Sequence, residues 1–247
     1  MNEIYKYGRS FWRTIEEGNE LSWMIGNGIG GYADHTVAGG GAMCFHGYLI
    51  ASLNPPVNRQ LIFTRTQEII EVQGREYDLT SQQYIGVSKD GQKYLEKFTF
   101  DSVPEYTYRV EDIYLKKTIA VEYGHNTTVV CYEIENGSEA CKLRVVPLFN
   151  YRGYADVSEK AELNFKTTIN DKKLSLVPEK NKDITIDFYT SDGTYYDRNL
   201  IPTSMATPNY LIEENHFYMI DHRTGFLGVE IGRAHVRTPV TGSNLVC

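Results

Sequence analysis

Leu21 to Asn58 reads LSWMIGNGIGGYADHTVAGGGAMCFHGYLIASLNPPVN, and the fold turns on how this stretch is read. Asp34 is its only formally charged side chain, in a protein where 23% of residues are charged. Eight of the 21 glycines lie here: Gly26, Gly28, Gly30, Gly31, Gly39, Gly40, Gly41 and Gly47. Glycine loses much conformational freedom on ordering, and it is favoured where φ is positive or where backbone approaches something closely. A segment so rich in glycine and so poor in charge, with Trp23, Tyr32, Phe45 and Tyr48 in it, is no solvated linker. The expectation is backbone folded tightly over a surface or site, leading into a buried strand from Phe45 to Leu53.

Gly26-Asn-Gly-Ile-Gly-Gly31 satisfies the G-x-G-x-x-G pattern of dinucleotide-binding turns. That pattern binds nucleotide only after a strand, before a helix, and with an acidic residue about 20 positions on. The residues that follow, Tyr-Ala-Asp-His-Thr-Val-Ala-Gly-Gly-Gly, hold no long helix, and nothing acidic occurs between Asp34 and Glu68. Nucleotide binding is not expected, and the match is a coincidence of glycine density.

Outward from this stretch the pattern is β. Asn54-Pro55-Pro56 is a rigid corner that starts no central strand. Strands are expected at Gln60–Val72, Tyr84–Val87, Tyr94–Phe100, Tyr106–Val110, Ile113–Val121, Thr127–Ile134 and Lys142–Tyr151, with turns at Gln73-Gly74, Lys89-Asp90-Gly91 and Asn136-Gly137. A meander follows at Ala161–Asn170, Leu174–Val177 and Ile184–Thr190, closed by Asp192-Gly193. Short strands at roughly 10-residue spacing with turn chemistry between them indicate a sandwich rather than βαβ units. No segment keeps a 3.6-residue period, so helix is confined to short turns near Gly8–Glu17 and Val157–Glu162. The expected fold is therefore all-β: a large antiparallel two-sheet β-sandwich from about Phe11 to Glu230, with a parallel α/β sheet as its main rival.

Composition bounds the function. The 247-residue chain carries a net charge of −7 with no basic cluster, which argues against nucleic acid. It has neither a run of 18 apolar residues nor an apolar N-terminal region, so no membrane span and no secretory signal are expected. Cys44, Cys131, Cys141 and Cys247 show no metal-ligand spacing, and the histidines are dispersed, so no metal or other cofactor is expected and a reduced, cytoplasmic setting is.

Four blocks of the central stretch also carry a family likeness. Trp23-Met-Ile-Gly-Asn-Gly-Ile-Gly-Gly-Tyr32, Thr36-Val-Ala-Gly39, Phe45-His-Gly-Tyr-Leu-Ile-Ala51 and Asn54-Pro-Pro56 resemble the opening of bacterial and archaeal glycogen debranching enzymes. The likeness continues through Tyr106-Thr-Tyr-Arg-Val110, Lys117-Thr118, Gly124-His-Asn-Thr-Thr128 and Val146-Pro-Leu-Phe-Asn-Tyr151. The resemblance implies an N-terminal, supersandwich-like β domain preceding an (α/α) barrel that bears amylo-α-1,6-glucosidase activity and the catalytic acids. One departure is that the family usually has a basic residue just before the aromatic-His-Gly, where this chain has Met43 and Cys44.

Glycoside hydrolysis needs two carboxylates flanking the bond, and no such pair stands out, so no catalytic residue is assigned to this chain. The expected function is a non-catalytic domain that helps position α-glucan (glycogen, branched dextrin) for a barrel the chain lacks. A stand-alone carbohydrate-binding β-sandwich module is the alternative, and a purely structural module the third reading. Trp23, Asn27, Gly28, Gly30, Tyr32, Phe45 and His46 are the candidate substrate or domain-contact residues. Among the 19 tyrosines most are explained by strand preference, and Tyr32 is the candidate for stacking on sugar, since an aromatic face with a polar rim suits a pyranose ring.

Ile231-Gly-Arg-Ala-His-Val-Arg-Thr-Pro-Val-Thr241 breaks the β pattern. It is similar to the translation of a short-read sequencing adapter, with Arg237 at the position of a stop. Residues 231–247 are accordingly expected to be a non-native tail outside the fold, with the native domain spanning 1–230.

Overall fold

The computed structural model describes residues 5–84, 87–135, 137–156, 164–170, 172–191, 194–196, 204–208, 218–222, 228–231 and 240–246, the last five segments by their backbone. The helical turn expected at Val157–Glu162, the Asp192-Gly193 turn and Asn136 lie outside these residues.

The strands are β1 (Tyr5–Gly8), β2 (Ser22–Gly26), β3 (Tyr32–Thr36), β4 (Gly47–Asn54), β5 (Val57–Val72), β6 (Arg75–Asp78), β7 (Ser81–Tyr84), β8 (Val87–Asp90), β9 (Leu95–Phe100), β10 (Pro104–Val110) and β11 (Ile113–Val121). They continue with β12 (Thr128–Glu135), β13 (Cys141–Gly153), β14 (Phe165–Asn170), β15 (Lys173–Pro178), β16 (Ile186–Thr190), β17 (Thr194–Tyr196), β18 (Ser204–Pro208), β19 (Tyr218–His222), β20 (Gly228–Ile231) and β21 (Val240–Val246). Among the described residues the one α-helix is Ile15–Asn19, α1, capped by the Thr14 hydroxyl on the Glu17 amide. The fold is all-β.

Two antiparallel sheets carry the molecule. One runs β1-β9-β10-β11-β12-β21-β16-β15-β14, the other β17-β20-β13-β5-β4-β3-β2 with β6 on β5 and β18–β19 beside β13. β7 and β8 form a separate ribbon. The α/β rival is gone because every strand pairing among the described residues is antiparallel. The turns follow their chemistry where it is strongest. Gln73 and Gly74 both take positive φ and join β5 to β6 with Val72 opposite Arg75, the geometry of a two-residue hairpin matched to strand twist. Pro55 and Pro56 form the exposed tip of the β4–β5 hairpin, between Asn54 and Val57.

Within Leu21–Asn58, Ser22–Gly26 and Tyr32–Thr36 pair as a hairpin, β3 pairs with β4, and most of the glycines lie at the turns. One reading is corrected. Lys89-Asp90-Gly91 is not a hairpin tip, since β8 ends at Asp90 and a 3₁₀ turn, Gly91–Tyr94, follows. There Gly91 packs on the Leu79 carbonyl, where a Cβ would sit 2.1 Å from the oxygen. Residues 240–246 supply β21, whose backbone pairs with both β12 and β16.

Between the sheets the core is aromatic. Phe63 and Phe149 stack at 5.4 Å, and Phe149 meets Phe188 edge-on at 5.7 Å, which joins β5 and β13 to β16. On β11 the strict alternation Ile113, Leu115, Lys117, Ile119 turns all four inward. Lys117 thereby enters the core, where its ammonium lies 2.8 Å from Glu68 on β5 and 4.8 Å from the centre of the Tyr48 ring. Tyr132 Oη donates to the same carboxylate at 2.5 Å. Both charges are buried to within a few per cent, and each finds its partner there, which is the condition for burying charge at all.

Candidate functional site: the β2–β3 turn and its rim

The glycine turn between β2 and β3 is held by one side chain. Asn27 Oδ1 accepts from the amides of Ile29 (3.1 Å) and Gly31 (2.9 Å), while its Nδ2 donates to the His125 carbonyl (2.8 Å) and to Asn126 Oδ1 (3.2 Å). The Gly124 amide returns a bond to the Asn27 carbonyl at 2.7 Å. A buried asparagine with all of this satisfied locks the 27–31 turn to the 122–126 loop, in the way that asparagine builds turns generally.

Glycine is required at two places in the turn. Gly28 has φ +81°, and a Cβ there would lie 2.4 Å from the Tyr123 ring, which rests on it. Gly30 has φ +97°, and a Cβ there would lie 2.5 Å from the Pro56 carbonyl oxygen. The turn thus threads between Tyr123 on one side and the β4–β5 tip on the other.

A rim continues from it. Arg59 Nε donates to the Gly30 carbonyl at 2.7 Å, and its guanidinium sits 5.8 Å from the centre of the Tyr154 ring. Arg152 reaches from β13 to donate to the Cys44 carbonyl at 2.6 Å. The chain that lacks a basic residue at Met43 and Cys44 therefore receives a guanidinium there from β13. Tyr123, Val57 and Tyr154 are the exposed large hydrophobics of this strip, at 83%, 57% and 37%, with Pro55 and Pro56 exposed and Ile29 and Phe45 half-buried.

The structure sorts the candidate residues into two groups. Gly28 and Gly30 lie at the surface turn, with Phe45 at the rim. Trp23, expected at a contact surface, is a core residue: its indole donates to Tyr106 Oη, which donates to the Thr36 carbonyl at 2.7 Å. Tyr32 is turned inward with Ile50 and Leu61, and its hydroxyl donates to the Phe45 carbonyl at 3.4 Å; burial holds its phenol well above the ordinary range. It offers no face to a sugar. Asn27 and His46 are buried scaffold. Tyr123, Arg59, Arg152 and Tyr154 were not identifiable beforehand. Only the Gly124-His-Asn-Thr-Thr128 block beside Tyr123 marked that loop as special.

Beneath the rim is a buried titratable cluster. His46 Nδ1 accepts from the Ala42 amide at 3.1 Å, so its proton sits on Nε2, which faces Asp34 Oδ1 at 3.7 Å. The His35 ring lies 5.8 Å from that of His46. Burial pushes the Asp34 carboxyl up to about 7, pulls His46 down to about 4 and holds His35 well below its usual value. The folded state thus keeps the Asp34 proton to higher pH than the unfolded chain does. The stability linked to Asp34 is complete below about pH 4 and is lost as pH rises through about 7. For His46 the sign reverses: its contribution is complete above about 6.5 and lost as pH falls through about 4. Asp34→Asn should therefore gain melting temperature relative to wild type as pH rises from about 4 to about 7, then level off. A constant offset between the two proteins at pH 5 and pH 8 would show that Asp34 does not titrate this way.

A cleft of about 320 Å³ opens between the sheets, floored by Leu49, Ala51, Leu53 and Ile62 and flanked by Tyr189. Its one carboxylate, Asp187, is paired with Lys173 at 3.0 Å, so the cleft does not hold the two free carboxyl groups of a glycosidase. Among the described residues no group of three or more His, Cys, Asp or Glu is placed to hold a metal ion, and no helix is long and apolar enough to cross a membrane. Cys44 and Cys131 are free thiols.

These features define an antiparallel β-sandwich domain whose distinctive surface is a glycine-built turn with an aromatic rim. The sequence matches the family described as glycogen debranching enzyme N terminal over residues 22–230, and the chain belongs to that family. The match covers all seven candidate residues and the rim. A comparison with curated proteins returns no match.

Proposed function

We propose that this chain is the non-catalytic N-terminal domain of a cytoplasmic debranching glycosidase, and that the turn surface packs on a C-terminal helical barrel and helps to position branched α-glucan for it. The observation that carries this reading is the rim itself: Ile29, Pro56, Val57, Phe45 and Tyr154 form an exposed or half-exposed apolar strip around a rigid turn. Clustered apolar exposure of this kind is the usual mark of an interaction surface. The family membership supplies the glucan, and the cleft with its single, paired carboxylate supports the absence of hydrolysis from this half.

Purified alone, the chain should release no glucose from glycogen limit dextrin. Added to a separately expressed barrel of the same family, it should raise the barrel's activity and co-elute with it in gel filtration. Ile29→Asp with Val57→Asp should abolish co-elution while leaving the melting temperature nearly unchanged, because neither side chain is in the core. Glucose release by the isolated chain at enzyme-like rates would refute the non-catalytic reading. Co-elution that survives the double substitution would refute the proposed surface.

A further inference from the structure

We propose that Tyr123 is a stacking platform for an α-1,4-linked glucan chain, at the edge of the surface assigned to the barrel. The ring is 83% exposed, the most exposed large hydrophobic side chain among the described residues. Its loop is nevertheless fixed, and the ring's Cδ2–Cε2–Cζ edge lies over Gly28, whose missing Cβ leaves room for it. Its loop is tied on both flanks, by Gly124 N–H to the Asn27 carbonyl (2.7 Å), by Asn27 Nδ2 to the His125 carbonyl (2.8 Å), and by Glu122 N–H to the Thr127 carbonyl (3.0 Å). An aromatic ring placed by a tied loop and touching backbone along one edge offers a face to a ligand with less ordering entropy left to lose.

The surroundings choose the ligand class. Glu122 and His125 beside the ring are both exposed and polar. A protein partner would want a contiguous apolar patch here, as at Val57 and Ile29 on the other side of the turn. A pyranose needs one aromatic face for its C–H groups and a few hydrogen-bonding groups at the rim for its hydroxyls, and that is what Tyr123 with Glu122 and His125 presents. Tyr32, which lies in the same turn, cannot serve because it is buried. This inference rests on the glucan part of the proposed function and not on docking to the barrel.

Affinity electrophoresis of the whole chain in gels with and without glycogen tests it, with soluble maltoheptaose and a β-1,4-linked cello-oligosaccharide as competitors. Wild type should be retarded by glycogen, maltoheptaose should release it, and the β-linked chain should not. Tyr123→Ala should weaken retardation roughly five- to tenfold, the usual worth of one stacked ring, while Tyr123→Phe and Tyr123→Trp keep most of it. Tyr114→Ala, an exposed tyrosine at the opposite end of β11, should leave retardation intact, and thermal melts should show every variant folded. A folded Tyr123→Ala that is retarded as strongly as wild type overturns the inference, as does a wild type that glycogen does not retard. In either case co-elution with the barrel still stands or falls by itself. Co-elution retained in Tyr123→Ala with retardation lost would separate the glucan contact from the domain contact.

Discussion

Lys117→Met is expected to lower the unfolding free energy by about 3–5 kcal/mol, the usual result of removing one partner of a buried ion pair. Methionine fills much of the lysine's space and keeps its contact with Tyr48, so the loss is electrostatic. Glu68 would remain at 2% exposure, with Tyr132 and Thr66 as its neighbours but without the Lys117 ammonium. Burial already pulls the Lys117 ammonium below its ordinary value, and Glu68 pulls it back. Adding Glu68→Gln to Lys117→Met should recover much of the stability, because a neutral amide oxygen still accepts from Tyr132 and Thr66 and no bare charge is left. Urea unfolding of the two single variants and the double variant, with unchanged slopes, checks this. A Lys117→Met loss below about 1 kcal/mol would place the pair in contact with water.

Gly30→Ala is expected to be the most damaging single change in the β2–β3 turn. It combines two costs of about 1–3 kcal/mol each, one for an alanine held at positive φ and one for a Cβ forced into its neighbours. The neighbours are the carbonyl oxygen and Cα of Pro56, at 2.5 and 2.8 Å, and backbone has little freedom to yield. Gly74→Ala separates the terms, since Gly74 also has positive φ but a Cβ there meets nothing within 4 Å. Gly26→Ala, in ordinary strand backbone with open space around it, should be near neutral. The expected order of destabilisation is Gly30 over Gly74 over Gly26. Equal melting temperatures for the Gly30 and Gly26 variants would mean that the turn does not pass between Tyr123 and Pro56 as described.

The same two sites show where the sequence is informative. Gly30 sits in a stretch whose glycine density already called for close backbone approach, though not for the β4–β5 tip as the thing approached. Lys117 sits in Ile113–Val121, which reads as a strand from its residues and is one. The period of 2 puts Lys117 on the same face as Leu115 and Ile119, and an isolated reading would call that a defect. The defect disappears only when β5 lies opposite and brings Glu68.

Properties written in short-range pattern were determined by the sequence itself: the all-β class, the order of most strands, the Gln73-Gly74 hairpin, and the family blocks from Trp23 to Tyr151. Each rests on alternation, turn chemistry or motif within a few residues of chain. Which tyrosine faces solvent was decided by tertiary structure alone. Tyr32 and Tyr123 read alike, as aromatic residues in or beside glycine turns, yet one is buried against Ile50 and Leu61 and the other stands 83% exposed on Gly28. The same holds for Arg152, which reaches Cys44 across 108 residues of sequence to fill a position that the local sequence leaves without a basic group. The physical reason is common to both. A strand's pattern encodes which side chains share a face, but which sheet covers that face depends on pairings between distant segments.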